Sequence, residues 1–483
     1  MVFTKFLTIV LIAILGGSIV YETISPTGFI YNYMHPETPP KPHKKKPPII
    51  IPPPVTYWYA DNYYEASFIT AENDSFLQSR LWTRNNVNLR YKGNFVNNAT
   101  TKWVTDLGSQ YNTAINQPIV ADIDQDGIVE ILSVVDGVVA QHDWVYCFYG
   151  NNGSIKWISP DIPYLHPRRL TAYDIDQDGY IEILATAYSG TRNGIHVLNH
   201  NGTIRWENET EAMYSVACYD INDDGKIEIL VNGESKFYCF SYDGGLEWSV
   251  PIPSSSVILV GDVNNDNMPE IVTNSYTTSP SRVYILDGNG GVLLNVSIPF
   301  ANVVTPSMYD VNNDGLLEIL FYSRLSATTN NVGLLSPNGT TLWTFTTNLQ
   351  IDAHQTAMYD VNNDGEVEIL IGCGELAGTA TLFCLNSTGG LVWQYGPLSN
   401  LQFEPSVLVA DINNDGSLEI LIGVRNGYIH ELKGDGSVLW IYRAGTFIMY
   451  NICMADIDGD DITEIIVNTM DGSYFRLACL TGV

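Results

Sequence analysis

The chain has 483 residues, with 53 acidic against 23 basic side chains and a formal net charge of −30. At 45% hydrophobic and 11% aromatic residues it can bury a sizeable core, which excludes wholesale disorder. The acidic balance argues against nucleic acid or anionic lipid as partner, and seven cysteines, an odd number, exclude a disulfide-dense mini-domain.

Residues Phe6 to Val20 form an almost unbroken apolar run behind Lys5. As a helix this run rises roughly 22 Å, short of a ~30 Å hydrocarbon core unless Val2, Phe3 and Tyr21 are recruited. It reads as a cleaved signal peptide with Gly16, Gly17 and Ser18 as its cleavage region, or as an uncleaved signal-anchor helix over residues 1–22. No A-x-A site is evident and a spacer follows, which favours the anchor. Either reading exports the rest of the chain. Residues 23–54 are a Pro/Lys-rich linker: nine prolines and Lys41, Lys44, Lys45 and Lys46 fall within 36–54. Polyproline II at ~3.1 Å per residue makes this a stalk on the order of 60 Å. The alternatives are a ligand for a polyproline-binding partner and a basic patch on acidic glycans. Residues 55–94, with Tyr57, Trp58, Tyr59, Tyr63 and Tyr64, are an N-terminal extension whose aromatics suit edge packing or partner contact.

Eight copies of one unit fill the remainder, starting at Asp122, Asp174, Asp220, Asp262, Asp310, Asp360, Asp411 and Asp456, at intervals of 42 to 52 residues. An apolar strand precedes each loop (VACYD, PSMYD, VLVAD). After it come the β-rich EIL run and an alternating strand such as VYCFYG or VYILDG. A turn with Asn-Gly, Asp-Gly or Gly-Gly then leads to a fourth strand such as SIKW or TIRW. Four antiparallel strands per repeat, in tandem, predict propeller blades. After the eighth third strand too few residues remain for a fourth. TTKWVTDLG around Trp103 resembles SIKWISPD around Trp157, so the N-terminal copy is expected to complete the last blade and leave no raw edge. The expected fold class is therefore all-β: an eight-bladed propeller over residues 95–483, closed by an N-terminal strand.

The repeated D-x-[DN]-x-D-G-x-x-E loop puts oxygen side chains at positions 1, 3, 5 and 9, with glycine at 6 for the left-handed turn. The sets are Asp122, Asp124, Asp126 and Glu130; Asp174, Asp176, Asp178 and Glu182; Asp220, Asn222, Asp224 and Glu228; Asp262, Asn264, Asp266 and Glu270. They continue with Asp310, Asn312, Asp314 and Glu318; Asp360, Asn362, Asp364 and Glu368; Asp411, Asn413, Asp415 and Glu419; Asp456, Asp458, Asp460 and Glu464. Hard oxygens at this spacing suit Ca²⁺, which accepts six to eight of them in flexible geometry; Mg²⁺ demands a stricter shell. Positions 1, 3, 5 and 9 of these loops hold 27 of the 53 acids, which would repel one another around an empty centre. Up to eight structural calcium ions would bring the charge to about −14. The weakest sites are the fourth, with Asn267 at the glycine position and Pro269 in the loop, and the eighth, with Asp461 there. Asn and Asp both tolerate the left-handed region.

These loops resemble the calcium loops of the FG-GAP/VCBS repeat superfamily, which includes integrin α-subunit propellers and eight-bladed, family-11-type rhamnogalacturonan lyases. The resemblance covers about four-fifths of the chain and implies a calcium-loaded propeller with the ligands named above. It does not by itself imply an activity. The FG and GAP tripeptides of the integrin repeats are absent.

In such propellers the metal loops share one face, and ligands use the other. That ligand face is expected to carry His166, Arg168, Arg169 and His354, with Arg192, Arg324, Glu375, Arg425 and Arg443. A lyase needs a base beside a uronate carboxylate and a cation to neutralise it, which His166 or His354 and the arginines could supply. No motif raises these above solvated loop residues. The tryptophans of the fourth strands (Trp157, Trp206, Trp248, Trp343, Trp393, Trp440) read as blade packing, and Cys373 and Cys384, on neighbouring strands, as a possible bonded pair. Eight N-x-S/T sequons permit glycosylation. The expectation is an extracellular or surface-anchored binding and adhesion module for a protein or glycan, with no nucleic acid and with membrane contact through the N-terminus if uncleaved. The alternatives are a secreted polysaccharide lyase or other carbohydrate-active enzyme, and an architectural envelope component.

Overall fold

The computed structural model describes residues 9–15, 18–24, 88–92 and, with short gaps in the loops, 99–482. Chain contacts divide it into Met1–Pro54 and Val55–Val483.

In the first unit, Ile9–Leu15 pairs antiparallel with Ser18–Ile24, from Leu15 opposite Ser18 to Ile9 opposite Ile24. The expected helix is therefore not formed. The run is rich in β-branched Ile and Val, which favour strands, and Gly16-Gly17 interrupts it. Among the described residues no helix is long and apolar enough to cross a membrane. The proline-rich stalk lies outside the described residues.

The second unit is an eight-bladed propeller of antiparallel blades in simple sequence order. Blade 2 is representative: Leu165–Tyr173, Glu182–Ala187, Gly194–Leu198 and Ile204–Asn208 lie side by side. Their burial explains the sequence pattern. Second and third strands, such as EILATA and GIHVL, are covered on both faces, so they read as continuous apolar runs. Fourth strands alternate, as in Val292–Ile298, because only one face packs on a neighbour. First strands of successive blades touch one another, which places them innermost. The core therefore lies between blades; one cluster joins Ile119, Leu132 and Val145 of blade 1 to Leu165, Leu170 and Ile183 of blade 2.

Closure follows the expected route. Ala99–Gly108 pairs antiparallel with Tyr474–Gly482 as the outer strand of blade 8, with Trp103 opposite Cys479. A single apolar cluster runs through blades 7, 8 and 1, including Leu421, Ile466 and Phe148. Two details lay beyond the sequence reading. The first strand of blade 1 is split into Tyr111–Ala114 and Ile119–Ala121, both on Glu130–Gly137. Asn88–Lys92, within the extension, adds parallel to Val407–Asp411 as a fifth strand of blade 7.

The tryptophans join the blades, as expected for packing residues. Trp103, Trp157, Trp206, Trp248, Trp343 and Trp393 each reach the turn before the fourth strand of the next blade. The indole N–H of Trp103 donates to Gly150 O at 2.8 Å, Trp206 to Tyr242 O at 3.0 Å, Trp343 to Ser387 O at 2.9 Å and Trp393 to Gly434 O at 3.0 Å. The ring lies flat against a left-handed glycine in that turn, such as Gly436 on Trp393. Four sequon asparagines, Asn152, Asn201, Asn338 and Asn386, sit in these turns and accept the amide two residues on. Turn chemistry thus accounts for Asn at those positions. All seven cysteines are buried free thiols. Cys373 lies opposite Thr381 and Cys384 opposite Leu370, so the suggested bond is not made.

Candidate metal centres

Each acidic loop links the first strand of a blade to its second, so by topology all eight share one face. Neighbouring loops touch: Gln177 Nε2 donates to Gly225 O at 3.0 Å, and Asn363 Nδ2 to Gly416 O at 3.3 Å.

The loop is wound by its own side chains. In blades 1 to 7 the position-1 carboxylate accepts the amides of positions 5 and 6; Asp360 takes Asp364 N at 3.0 Å and Gly365 N at 2.9 Å. In all eight, the position-5 carboxylate accepts the amide of position 7, as Asp364 does from Glu366 at 2.8 Å. The position-9 glutamate closes the loop from the far side. Its Oε2 accepts the position-2 amide in every copy, for example Ile123 N to Glu130 at 3.1 Å and Ile457 N to Glu464 at 3.1 Å. Position 6 is left-handed, including Asn267 at φ +69°, so this substitution keeps the turn. Position 4 is left-handed too, at Gln125, Gln177, Asp223, Asn265, Asn313 and Asn363. Blade 8 has Gly459 at position 4, while Asp461 lies outside the described residues.

The position-9 glutamates begin the buried second strands. Burial pushes Glu130, Glu182, Glu228, Glu270, Glu318, Glu368 and Glu419 up to about 7, and Glu464 upward. Eight buried carboxyls, each beside two or three more acids, form a donor set that a hard cation would stabilise. What stands at position 3 divides the loops into two kinds.

In blades 3 to 7 position 3 is Asn. Its Oδ1 accepts the position-5 amide, at 2.9 Å for Asn222 and 2.8 Å for Asn312. In blades 4, 5 and 6 its Nδ2 also donates to the glutamate, at 2.8 Å from Asn264 to Glu270 and 3.1 Å from Asn362 to Glu368. Among the described residues no lysine or arginine enters these clusters. The nearest, Lys226, is exposed and 4.0 Å from Asp224. The oxygen donors of these five loops fit a calcium ion.

In blades 1, 2 and 8 position 3 is Asp, and a basic side chain from the fourth strand lies among the acids. Lys156 Nζ is 2.6 Å from Asp124, 2.8 Å from Glu130 and 3.4 Å from Asp126. Lys102 Nζ is 2.6 Å from Asp458 and 2.8 Å from Glu464. Arg205 pairs with Asp176 and with Glu182, the latter at 3.0 Å. Burial works against the lysine charges, but hydrogen bonds and attraction from these carboxylates outweigh it and push both pKa values upward. Asp124 Oδ1 and Asp176 Oδ1 are left buried without a hydrogen bond. These three loops also bring three carboxylates each to within 4.8 Å of one another.

The expected ligand face is less built. His166, Arg168 and Arg169 lie on Leu165–Tyr173, and His354 on Ile351–Tyr359; Arg324 ends Glu318–Arg324. Their side chains, Glu375 and Arg425 lie outside the described residues. Arg192 is engaged by Glu207 and Glu209, and it neutralises the one other such cluster among the described residues, His196 with those two glutamates. Arg443 donates to Gly445 O at 3.1 Å and lies 5.8 Å over the Tyr428 ring. Arg192 is thus already paired with two carboxylates.

Residues 360–422 match the FG-GAP-like repeat. The eight-bladed ring is consistent with an FG-GAP-type propeller. Residues 182–299 match the lambda-carrageenase beta-propeller domain. Among solved structures, the chain is similar to the V. cholerae biofilm matrix protein Bap1, with a TM-score of 0.60 and 17% identity over 80% of this chain and 91% of that one. It is also similar to the Dos1 propeller, with a TM-score of 0.50 and 12% identity over 79% and 95% of the two chains. At these identities the likeness is one of fold. No curated protein matches the chain.

Proposed function

We propose that the chain is an extracellular, calcium-stabilised propeller that binds a protein or glycan as an adhesion or matrix module. One observation carries the reading: eight loops of one design, each gathering buried and half-buried carboxylates, stand on a single face of a closed ring. A chain that spends half its acids this way is built to be rigidified by cations outside the cell, where calcium is abundant. The likeness to a biofilm matrix protein supports the fold side of this reading. A second reading, a carbohydrate-active enzyme, is favoured by the lambda-carrageenase domain match and by Arg168 and Arg169 on the first strand of blade 2.

The test uses the full chain with calcium, titrated against acidic polysaccharides, carrageenans included, while binding and new chain ends are followed together. Saturable binding without cleavage is the expected result. Cleavage abolished in the Arg168→Ala/Arg169→Ala variant at unchanged melting temperature would replace the adhesion reading with the enzyme. A melting temperature indifferent to chelator would remove calcium from both.

A further inference from the structure

We infer that the loops of blades 8, 1 and 2 carry their own cation, so the ring takes metal at the five loops of blades 3 to 7 and not at all eight. The inference rests on the calcium reading for those five loops and departs from it for the other three.

The first support is a recurring bulge. In every blade the ladder between third and fourth strands slips by one residue just before the tryptophan position, for example between Cys147–Trp157 and Phe148–Ile155. The same slip precedes Trp206, Trp248, Trp343, Trp393, Trp440 and Trp103, and Leu294 in blade 4. A bulge re-aims the extra side chain. Here the extra residue is Lys156, Arg205, Glu247, Leu293, Leu342, Val392, Leu439 or Lys102. In blade 3, Glu247 at this position acts on Glu228, so the bulge faces the loop there as well. In blades 4 to 7 the residue is aliphatic and exposed.

The second support is a correlation within the sequence that needs no coordinates. Asp stands at position 3 in three loops, and a Lys or Arg stands at the bulge in the same three blades. Asn stands at position 3 in the five blades without a basic bulge residue. The added acid and the added base therefore occur only as a pair, and the net charge of these three clusters matches that of the Asn-type loops of blades 4 to 7, whose bulge residue is uncharged.

What differs is where the positive charge sits. Calcium would need the position-3 and position-9 oxygens at about 2.3–2.6 Å. In blade 1 those two oxygens hold the Lys156 ammonium at 2.6 and 2.8 Å. An ammonium offers three donors and here meets three carboxylates, so its valence is spent in the cluster. The position-3 acids are likewise turned away from the position-5 amide that their Asn counterparts accept. These loops do not fit a metal ion while the base is in place.

The test is a count of calcium retained per full-length chain after desalting, measured by elemental analysis. Lys156→Met is expected to gain one ion, and Lys102→Met/Lys156→Met/Arg205→Met to gain three over the wild type. The reverse exchange, Asn362→Asp with Val392→Lys in blade 6, is expected to lose one, and it keeps the idea testable if the triple variant does not fold. Eight ions in the wild type, or a count unmoved by these exchanges, would overturn the inference while leaving the calcium reading intact. No retained calcium in any of the proteins would overturn both, and that result is distinguishable because the five Asn-type loops would be empty too.

Discussion

Replacing Gly436 by Ala tests whether the indole of one blade is seated on a bare backbone in the next. Gly436 has φ +81°, and an added Cβ would lie 2.8 Å from Cε3 and 2.9 Å from Cδ2 of Trp393. Ordinary carbon contacts are about 3.5–4.0 Å, so the ring must retreat by nearly an ångström. Two costs add: roughly 1–2 kcal/mol for a left-handed alanine and about 1–3 kcal/mol for overpacking. Gly339 supplies the control. It occupies the same turn in blade 5 at φ +85°, but blade 4 has Leu294 in place of tryptophan, and the nearest atom, of Val296, is 3.3 Å away. Gly339→Ala should pay mainly the backbone term, about 1.5 kcal/mol, against about 3 kcal/mol for Gly436→Ala. Urea unfolding followed by far-UV circular dichroism reads both. In a Trp393→Ala background the Gly436→Ala penalty should fall to about 1.5 kcal/mol, a coupling of similar size. Equal costs at Gly436 and Gly339, or a penalty unchanged without the indole, would refute the argument.

Three further outcomes are expected. Chelation should raise hydrogen exchange in the loops from Asp220, Asp262, Asp310, Asp360 and Asp411, and leave those from Asp122, Asp174 and Asp456 protected; a uniform response would count against two kinds of loop. Burial pushes His430 down to about 4, and its Nδ1 lies 2.8 Å from Tyr395 Oη. The native state keeps the ring neutral while the unfolded chain takes up a proton below about 6.5. Stability from this group is therefore full above that pH and lost as pH falls toward 4, by up to about 3 kcal/mol; a His430→Gln variant whose unfolding free energy ran parallel to wild type from pH 7 to 4 would contradict this. Finally, a chain beginning at residue 87 keeps both Asn88–Lys92 and the closing strand and should melt close to full length, whereas one beginning at 109 loses the closing strand, bares the edge of Tyr474–Gly482 and should aggregate.

Most of the ring was legible because its repeats are fixed by backbone constraints that few residues meet. Asp at position 1 must take two amides, glycine or asparagine must turn left-handed at 6, and Glu at 9 must reach back to position 2. These demands recur from blade to blade, with Asp461 the one departure at position 6, so the period shows. Closure was legible by strand counting alone. The N-terminal run was misread because apolar length suggested a helix, while its β-branched content and central Gly-Gly favoured a hairpin. Asn88–Lys92 was missed because a parallel edge strand with two register points leaves no periodic signal. The basic residues at the metal loops were also missed. Lys156 is 32 positions from Asp124, and only the folding of the fourth strand back along the blade brings them together. The signal existed in the Lys-Trp and Arg-Trp pairs before three of the tryptophans, but it gains meaning only beside position 3 of the same blade.

The choice between metal and side chain follows from what each can hold together. A divalent ion and an ammonium about 4 Å apart repel by roughly 8 kcal/mol at an effective dielectric of 20, so a loop that seats one tends to exclude the other. A lysine costs up to about 2 kcal/mol of side-chain entropy when immobilised, yet it is present at any calcium concentration. Its advantage is clearest in blade 8. There the acids at 456–464 come from the C-terminal end of the chain, while the fourth strand, Ala99–Gly108, comes from the N-terminal end. A metal held by Asp456, Asp458, Asp460 and Glu464 would order the loop without touching the closing strand. Lys102 sits on that strand and bonds Asp458 and Glu464 across the seam, while Trp103 beside it reaches Gly150 in blade 1. Two adjacent residues thus tie the end of the ring to both of its neighbours, and the closure holds without waiting for an ion.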